Sequence, residues 1–136
     1  MTGADWSESL PITANDDVVR ARQAVRALAQ ECRLSLVDQT KLVTAASELA
    51  RNTLVHGGGG TMRAALVDSG GRRGVRVAFE DSGPGIPDLD LALTDGWTSG
   101  TGLGLGLSGS RRLVDEFTID TRPGHGTTVT IAKWAR

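Results

Sequence analysis

The chain has 136 residues, with 15 basic and 16 acidic side chains that leave a formal net charge of −1. This length predicts one domain, residues 1–136, with a real hydrophobic core. The near-neutral charge argues against a protein that wraps nucleic acid. We find no apolar run of membrane-spanning length and no signal peptide, so we expect a cytoplasmic protein with no membrane partner. The lone Cys32 excludes an internal disulfide and is interpreted as a core residue rather than a reactive thiol.

The first half of the chain predicts one short strand and two helices. Residues 1–7 are expected to be flexible, and Ser9–Thr13 is predicted as an edge strand, where its proline is tolerated. Apolar residues at helical spacing predict a helix from the candidate N-cap Asn15 to about Arg33. A second helix is predicted from the capping sequence at Ser35 to about His56. Gly57 to Gly60 then stop it.

The second half predicts four strands and one helix. The strands are 61–67, 74–81, 117–121 and 127–134, and a helix is predicted from Leu105 to Glu116. Helices first, and then strands with one intervening helix, favour an α+β fold. We expect a two-layer sandwich with a mixed, mostly antiparallel sheet and helices on one face.

Glycine occupies nearly every second position between residues 99 and 109. Where such a loop opens a helix, its free N–H groups and the helix dipole suit a phosphate, so a nucleotide ligand is predicted. Gly104 to Gly109 also match the dinucleotide pattern G-x-G-x-x-G. That pattern requires a hydrophobic strand before the glycines, whereas residues 94–99 are polar. The dinucleotide interpretation is therefore disfavoured.

The second helix carries Thr44, Glu48, Asn52 and His56 at successive i+4 steps, which places them in one row. Glu48 suits a general base, and Asn52 offers a neutral oxygen of the kind that Mg²⁺ accepts. The alternative is an ordinary solvated side of the helix. The row by itself does not decide between the two.

Asp81 ends the strand face that begins with Val75 and Val77, because side chains alternate along a strand. A carboxylate at the end of an apolar face needs a partner, and it can accept from a ligand amino group such as that of adenine. The alternative is that Asp81 caps the turn at Gly83. Thr127 starts the last strand, and its hydroxyl suits a water-mediated contact to a base.

Four segments together resemble the Bergerat (GHKL) ATP-binding fold of gyrase, Hsp90, MutL and histidine kinases. Glu48 to Asn52 looks like its N box, and Asp81 to Gly85 looks like its D-x-G-x-G box. Gly102 to Gly106 looks like the second glycine box, and Gly124 to Thr127 resembles the G-x-G-T element. The order and spacing of the four boxes make this resemblance specific.

The resemblance implies roles for individual residues, with ATP and Mg²⁺ as cofactors. Glu48 would be the catalytic base and Asn52 the Mg²⁺ ligand, and residues 88–101 would form a lid over ATP. The ATP-binding residues implied are Asn52, Asp81, Gly83, Gly85, Ile86, Gly102, Leu103, Gly104, Gly106 and Thr127.

Within that fold, the chain is similar to the small bacterial serine/threonine kinases of sigma-factor switching, above all to stressosome switch kinases. The segments that carry this similarity are 48–52, 80–88, 112–117 and 130–134. The similarity implies phosphorylation of a STAS-domain scaffold or antagonist protein, followed by activation of a PP2C-type phosphatase in a stress response. The alternatives are an anti-sigma factor that sequesters a sigma subunit, and a nucleotide-sensing adaptor that transfers no phosphate.

The chain departs from many such relatives in having no Lys or Arg between Asp88 and Ser110. The relatives use a lid cation to contact the γ-phosphate. Here Mg²⁺, backbone groups, Arg51, Arg111 or the partner would have to neutralise that charge. Because a supplied arginine contributes about 10³–10⁵ in other phosphoryl transfers, we expect slow ATP hydrolysis without a protein substrate.

Overall fold

A computed structural model of the chain describes residues 6–85 and 106–136. Their elements, in chain order, are β1 (Glu8–Ile12), α1 (Asn15–Glu31), α2 (Leu36–Val55), β2 (Gly60–Ser69), β3 (Arg72–Asp81), α3 (Gly106–Arg112), β4 (Glu116–Arg122) and β5 (Gly126–Trp134). The predictions for Ile86, Gly102, Leu103, Gly104 and the lid at 88–101 lie outside the described residues. Ser7, in the segment predicted to be flexible, donates from its backbone N to the carbonyl of Ala64 at 3.0 Å.

The five strands form one sheet in the order β1-β2-β3-β5-β4. Every pair of neighbours is antiparallel, so a mixed sheet does not occur within the described part of the chain. Val75, Val77 and Phe79 point to the face that packs against α1 and α2 and are at most 2% exposed. The predicted α+β sandwich is confirmed.

The helices contribute the apolar positions that their spacing predicts. Val18, Ala21, Val25 and Leu28 of α1 are buried, and Cys32 continues this row at 3% exposure. Burial raises the pKa of the Cys32 thiol, which keeps it protonated and unreactive at neutral pH. The interpretation of Cys32 as a core residue is confirmed.

The ends of α1 differ from the prediction. Its N-cap is Ala14 rather than Asn15, because the carboxylate of Asp17 accepts from the backbone N of Thr13 at 2.9 Å and of Ala14 at 3.1 Å. These bonds satisfy N–H groups that a helix start leaves free. The helix ends at Glu31, before the predicted end, because Arg33 adopts a left-handed φ of 62°. The cap of α2 is as predicted, since Ser35 Oγ accepts from the N of Asp38 at 3.1 Å.

The third helix is shorter than predicted, because the chain after Arg112 already joins the sheet. The N of Asp115 donates to the carbonyl of Ala132 at 2.9 Å, and its carboxylate accepts from the N of Trp134 at 2.8 Å. These bonds draw residues 113–116 onto β5, so β4 starts at Glu116 rather than at Phe117.

An ion cluster ties the start of α2 to the end of β5. Lys133, which is 4% exposed, lies 3.5 Å from Asp38 and 3.7 Å from Asp115. Arg136 lies 2.7 Å from the same Asp115 carboxylate. Burial tends to raise the pKa of Asp115, but the Trp134 N–H and the two cations more than offset it, and the pKa is lowered. No described helix is both long and apolar enough to cross a membrane.

Candidate nucleotide site

One end of the sheet meets the C-terminal end of α2. The strand register places Asp81 opposite Gly60 on β2 and opposite Thr127 on β5. Asp81 therefore ends the helix-facing row of β3, as the alternation of its side chains predicts, and it is half-buried there. The structure thus brings together three segments that are far apart in the sequence.

The Asp81 carboxylate caps the turn that follows it. Its Oδ1 accepts from the N of Gly83 at 2.9 Å. The alternative prediction, that Asp81 caps the turn at Gly83, is therefore confirmed. A carboxylate has about four acceptor positions, and one such bond leaves the others available to a ligand amino group. The cap fixes the orientation of the side chain and is compatible with a role in binding.

Four glycines pack closely where β3 ends, and we call them the glycine collar: Gly57, Gly60, Gly83 and Gly126. A Cβ on Gly57 would lie 2.6 Å from Asp81 Oδ2, and one on Gly83 would lie 2.8 Å from the Cα of Gly57. A Cβ on Gly60 or Gly126 would overlap the backbone carbonyl of Glu80 or Asp81. The collar needs glycine because any side chain would displace the backbone or the carboxylate.

The sequence interpretation missed the roles of Gly57 and Gly60, which it treated as a stop signal for α2. One glycine suffices to end a helix. Four in succession, at 57–60, were the signal that another constraint applied. Gly83 was predicted as an ATP-binding residue, and in the structure it packs against the backbone of Gly57.

Gly85 joins the turn after β3 to the β4–β5 hairpin. Its φ is +79°, and a Cβ there would lie 2.6 Å from the carbonyl of Arg122. The carbonyl of Pro84 also accepts from the N of Gly124 at 2.7 Å. These contacts hold the Asp81–Gly85 segment against the hairpin that carries Thr127.

The Thr127 hydroxyl lies at the start of β5 and is directed toward its neighbour on β4. Its Oγ1 is 2.9 Å from that of Thr121, and Thr127 is 9% exposed. Thr121 was not among the residues predicted from the sequence. A hydroxyl has one donor and two acceptor positions, so the bond to Thr121 is compatible with a contact from Thr127 to a bound water.

Glu48 and Asn52 lie one turn apart on α2, and each is half-exposed between the exposed Thr44 and His56. No hydrogen bond joins the side chain of Glu48 or Asn52 to another described residue. The carbonyl of Asn52 accepts from the N of His56 at 2.9 Å and from the N of Gly57 at 3.2 Å. Gly57, which packs against the Asp81 carboxylate, therefore also bonds to the end of the helix that carries Glu48 and Asn52.

A cavity of about 670 Å³ opens at this end of the sheet. Its lining comprises Gly57–Thr61, Glu80–Ser82, Asp120, Arg122 and 125–128. The volume is in the range of small-molecule sites. Asp81 and Thr127 border this cavity, whereas Glu48 and Asn52 are not among its lining residues. Gly106 begins α3 with a φ of 69°.

The residues around Asn52 are compatible with Mg²⁺. In the part of the chain that the structure describes, no three His, Cys, Asp or Glu side chains come together as a metal site. Mg²⁺ often takes only one or two protein oxygens and completes its shell with waters and substrate phosphates. The amide oxygen of the half-exposed Asn52 side chain fits that requirement.

Comparisons with known proteins agree with this geometry. Residues 37–135 match the family described as histidine kinase-, DNA gyrase B- and HSP90-like ATPase. The chain is 42% identical over 120 residues to the serine/threonine-protein kinase RsbT of Bacillus subtilis, which covers 88% of this chain and 90% of RsbT. It is 29% identical over 122 residues to the anti-sigma F factor of Bacillus licheniformis, covering 83% of this chain and 81% of that protein.

A solved structure shows the same fold. The RsbU and RsbW domains of a Mycobacterium tuberculosis protein superpose with a TM-score of 0.64 at 24% identity, over 96% of this chain. This chain spans about a third of the length of that protein, 33%. The family match and the RsbT similarity cover most of the chain, and the helices and sheet agree with both. The chain therefore belongs to the histidine kinase-, DNA gyrase B- and HSP90-like ATPase family.

Proposed function

We propose that this chain is an ATP-dependent serine/threonine protein kinase that acts in the cytoplasm on a STAS-domain scaffold or antagonist protein. The similarity to RsbT supports the kinase activity. The structural observation that carries the proposal is the pair Glu48 and Asn52. Both side chains are half-exposed and form no hydrogen bond to another described residue, and Asn52 lies five residues before Gly57, which packs against the Asp81 carboxylate.

The adenine binds at the Asp81 end of the cavity. The free carboxylate lone pairs accept from its exocyclic amine, and Thr127 contacts the ring through water. The glycine collar supports this assignment, because Gly57 leaves room for the carboxylate and the other glycines let the surrounding backbone approach closely. Ile86, Gly102, Leu103, Gly104 and Gly106 are proposed to complete the nucleotide contacts, and residues 88–101 to form the lid.

Asn52 would hold Mg²⁺, which would neutralise phosphate charge when bound. The half-exposed amide side chain near the end of α2 supports this assignment. Arg51 precedes Asn52 and is exposed, so its guanidinium is available to the γ-phosphate or to the protein substrate. The segment from Asp88 to Ser110 supplies no cation.

Glu48 acts as the general base. It takes the proton of the acceptor serine or threonine hydroxyl as that oxygen forms a bond to the γ-phosphorus. The bond from the γ-phosphorus to the bridging oxygen breaks, and ADP leaves. A positioned base of this kind contributes about 10²–10⁴ in rate. The phosphorylated partner then releases the kinase, which activates a PP2C-type phosphatase.

A second candidate function is that of an anti-sigma factor, which sequesters a sigma subunit and phosphorylates its antagonist. The 29% identity to an anti-sigma F factor favours it, but the identity to RsbT is higher and covers a similar share of the chain. A pull-down with the purified chain separates the two. Capture of a sigma factor supports the second function, and capture of a STAS-domain protein or a PP2C-type phosphatase supports the first.

The catalytic assignment is tested with labelled ATP and a purified STAS-domain protein from the same organism. The wild-type chain should transfer label to serine or threonine. Glu48→Gln should keep its affinity for ATP and lose at least 100-fold in transfer, whereas Asn52→Ala should weaken Mg²⁺-dependent ATP binding. Full transfer by both variants would refute the assigned roles.

A further inference from the structure

The solvent-facing side of α2 carries six residues at alternating steps of four and three, which places them in one line along the helix. We call this line the Val37–Val55 stripe. Its members are Val37, Lys41, Thr44, Glu48, Arg51 and Val55. All are exposed except Glu48, which is half-exposed. The stripe runs for about 27 Å, from 18 residues at 1.5 Å each, and the proposed base lies within it.

The two ends of the stripe are apolar and open to solvent. Val37 is 63% exposed and Val55 is 52% exposed, and Leu36, beside Val37, is 77% exposed. Valine is a weak helix former, because its branched side chain loses rotamer freedom in a helix. Neither core packing nor helix propensity accounts for valine at these two positions. Their alignment with Glu48 points to a contact made outside the chain.

The middle of the stripe is cationic around Glu48. Lys41 lies about 10 Å before Glu48 along the helix axis, and Arg51 lies about 4.5 Å after it. The other acid of α2, Asp38, is already paired with Lys133 at 3.5 Å and with Arg136 at 3.7 Å. Within residues 6–85 and 106–136, no ion pair involves Lys41 or Arg51, so the stripe presents two cations and the one acid that the proposed chemistry requires.

We propose that the Val37–Val55 stripe is the docking surface for the protein substrate. The inference rests on the proposed function, in which an acceptor hydroxyl reaches Glu48. Any protein segment that reaches Glu48 must also cover the residues one turn away on either side, Thr44 and Arg51. The occupant is a segment with acidic side chains that pair with Lys41 and Arg51, and with apolar side chains that cover the terminal valines.

The test uses substitutions far from the reacting atoms. Val37→Asp removes the apolar side chain at one end of the stripe, and Lys41→Glu reverses the charge in its middle. Both positions lie at least seven residues before Glu48, and the substitutions are made alone and together. Val19→Asp on α1 is the matched control, since Val19 is a similarly exposed valine, at 45%, on a helix without the stripe. Initial transfer rates are measured against the concentration of a STAS-domain protein that the wild-type chain phosphorylates. ATP affinity and thermal unfolding are recorded for each variant.

We expect the double variant to raise the KM for the protein substrate at least tenfold, with kcat and ATP affinity within twofold of wild type. Val19→Asp should change none of these values. Val55→Ser tests the other end of the stripe, and it should raise the same KM severalfold. An unchanged KM in both the double variant and Val55→Ser, with transfer intact, would refute the docking surface alone. Absence of transfer by the wild-type chain would instead refute the proposed function, and the inference with it.

Discussion

Gly57→Ala should abolish tight ATP binding while leaving the fold intact. Gly57 has an ordinary φ, so its backbone accepts alanine, but the new Cβ would lie 2.6 Å from Asp81 Oδ2 and closer still to the carboxyl carbon. Asp81 must then rotate away and lose both its bond to Gly83 and the proposed bond to adenine. A hydrogen bond to a charged group contributes about 1.5–3 kcal/mol. The dissociation constant for ATP should therefore rise about 10- to 150-fold.

The effect of Gly57→Ala on the free energy of unfolding should be smaller. Alanine lowers the conformational entropy of the unfolded chain, which stabilises the fold by about 0.4–1 kcal/mol and offsets part of the loss of the Gly83 hydrogen bond. Gly70→Ala is the matched control. Gly70 has a φ of +61°, and a Cβ added there would have no neighbouring atom within 4 Å. The variant should therefore lose about 1 kcal/mol of stability through backbone strain alone. Its ATP affinity, measured by titration calorimetry, should not change. ATP binding by Gly57→Ala at wild-type affinity would refute the role of the glycine collar.

The remaining predictions concern the stability of the fold and the selection of adenine over guanine. Ser35→Ala should lower the free energy of unfolding by about 1 kcal/mol in urea titrations, because it removes the cap of α2; an unchanged urea midpoint would contradict this. Asp81→Asn should weaken ATP binding and reduce the preference for ATP over GTP, since an amide has one acceptor oxygen fewer than a carboxylate. Competition binding with the two nucleotides measures this preference, and an unchanged preference would count against Asp81 as the contact to adenine. The pKa of Asp115 is lowered from 3.8, so the stability that it contributes is present above pH 3.8 and is lost as the pH falls through the folded-state pKa. Asp115→Asn should therefore be less stable than wild type at pH 6, and the difference should shrink below about pH 4; a pH-independent difference would show that charge is not the cause.

The sequence was sufficient for those parts of the fold that periodicity determines. The helix-facing row of β3, the Ser35 cap and the burial of Cys32 all follow from local pattern, and each is confirmed. Asn15 was predicted wrongly as the N-cap because the Asp17 carboxylate accepts from the N–H groups of Thr13 and Ala14, so the helix starts one residue earlier. These bonds depend on the path of the chain between β1 and α1, which spacing does not reveal.

The site was predicted as a set of separate residues, and only the fold shows how they are connected. Asp81 and Thr127 meet because β3 and β5 are neighbours, although 44 residues lie between the two strands in the sequence. The collar role of Gly57 depends on the close approach of Asp81, which no local pattern encodes. Likewise, α3 ends early because Asp115 bonds to β5, which is a long-range contact.

The most direct test of the kinase proposal measures ADP and phosphoprotein in one reaction. Wild-type chain, ATP and a STAS-domain protein from the same organism are mixed, and both products are followed over time. We expect one phosphoprotein for each ADP, and very little ADP when the STAS-domain protein is omitted. ADP formation at the same rate with and without that protein, with no phosphoprotein, would show that the chain is an ATPase rather than a protein kinase.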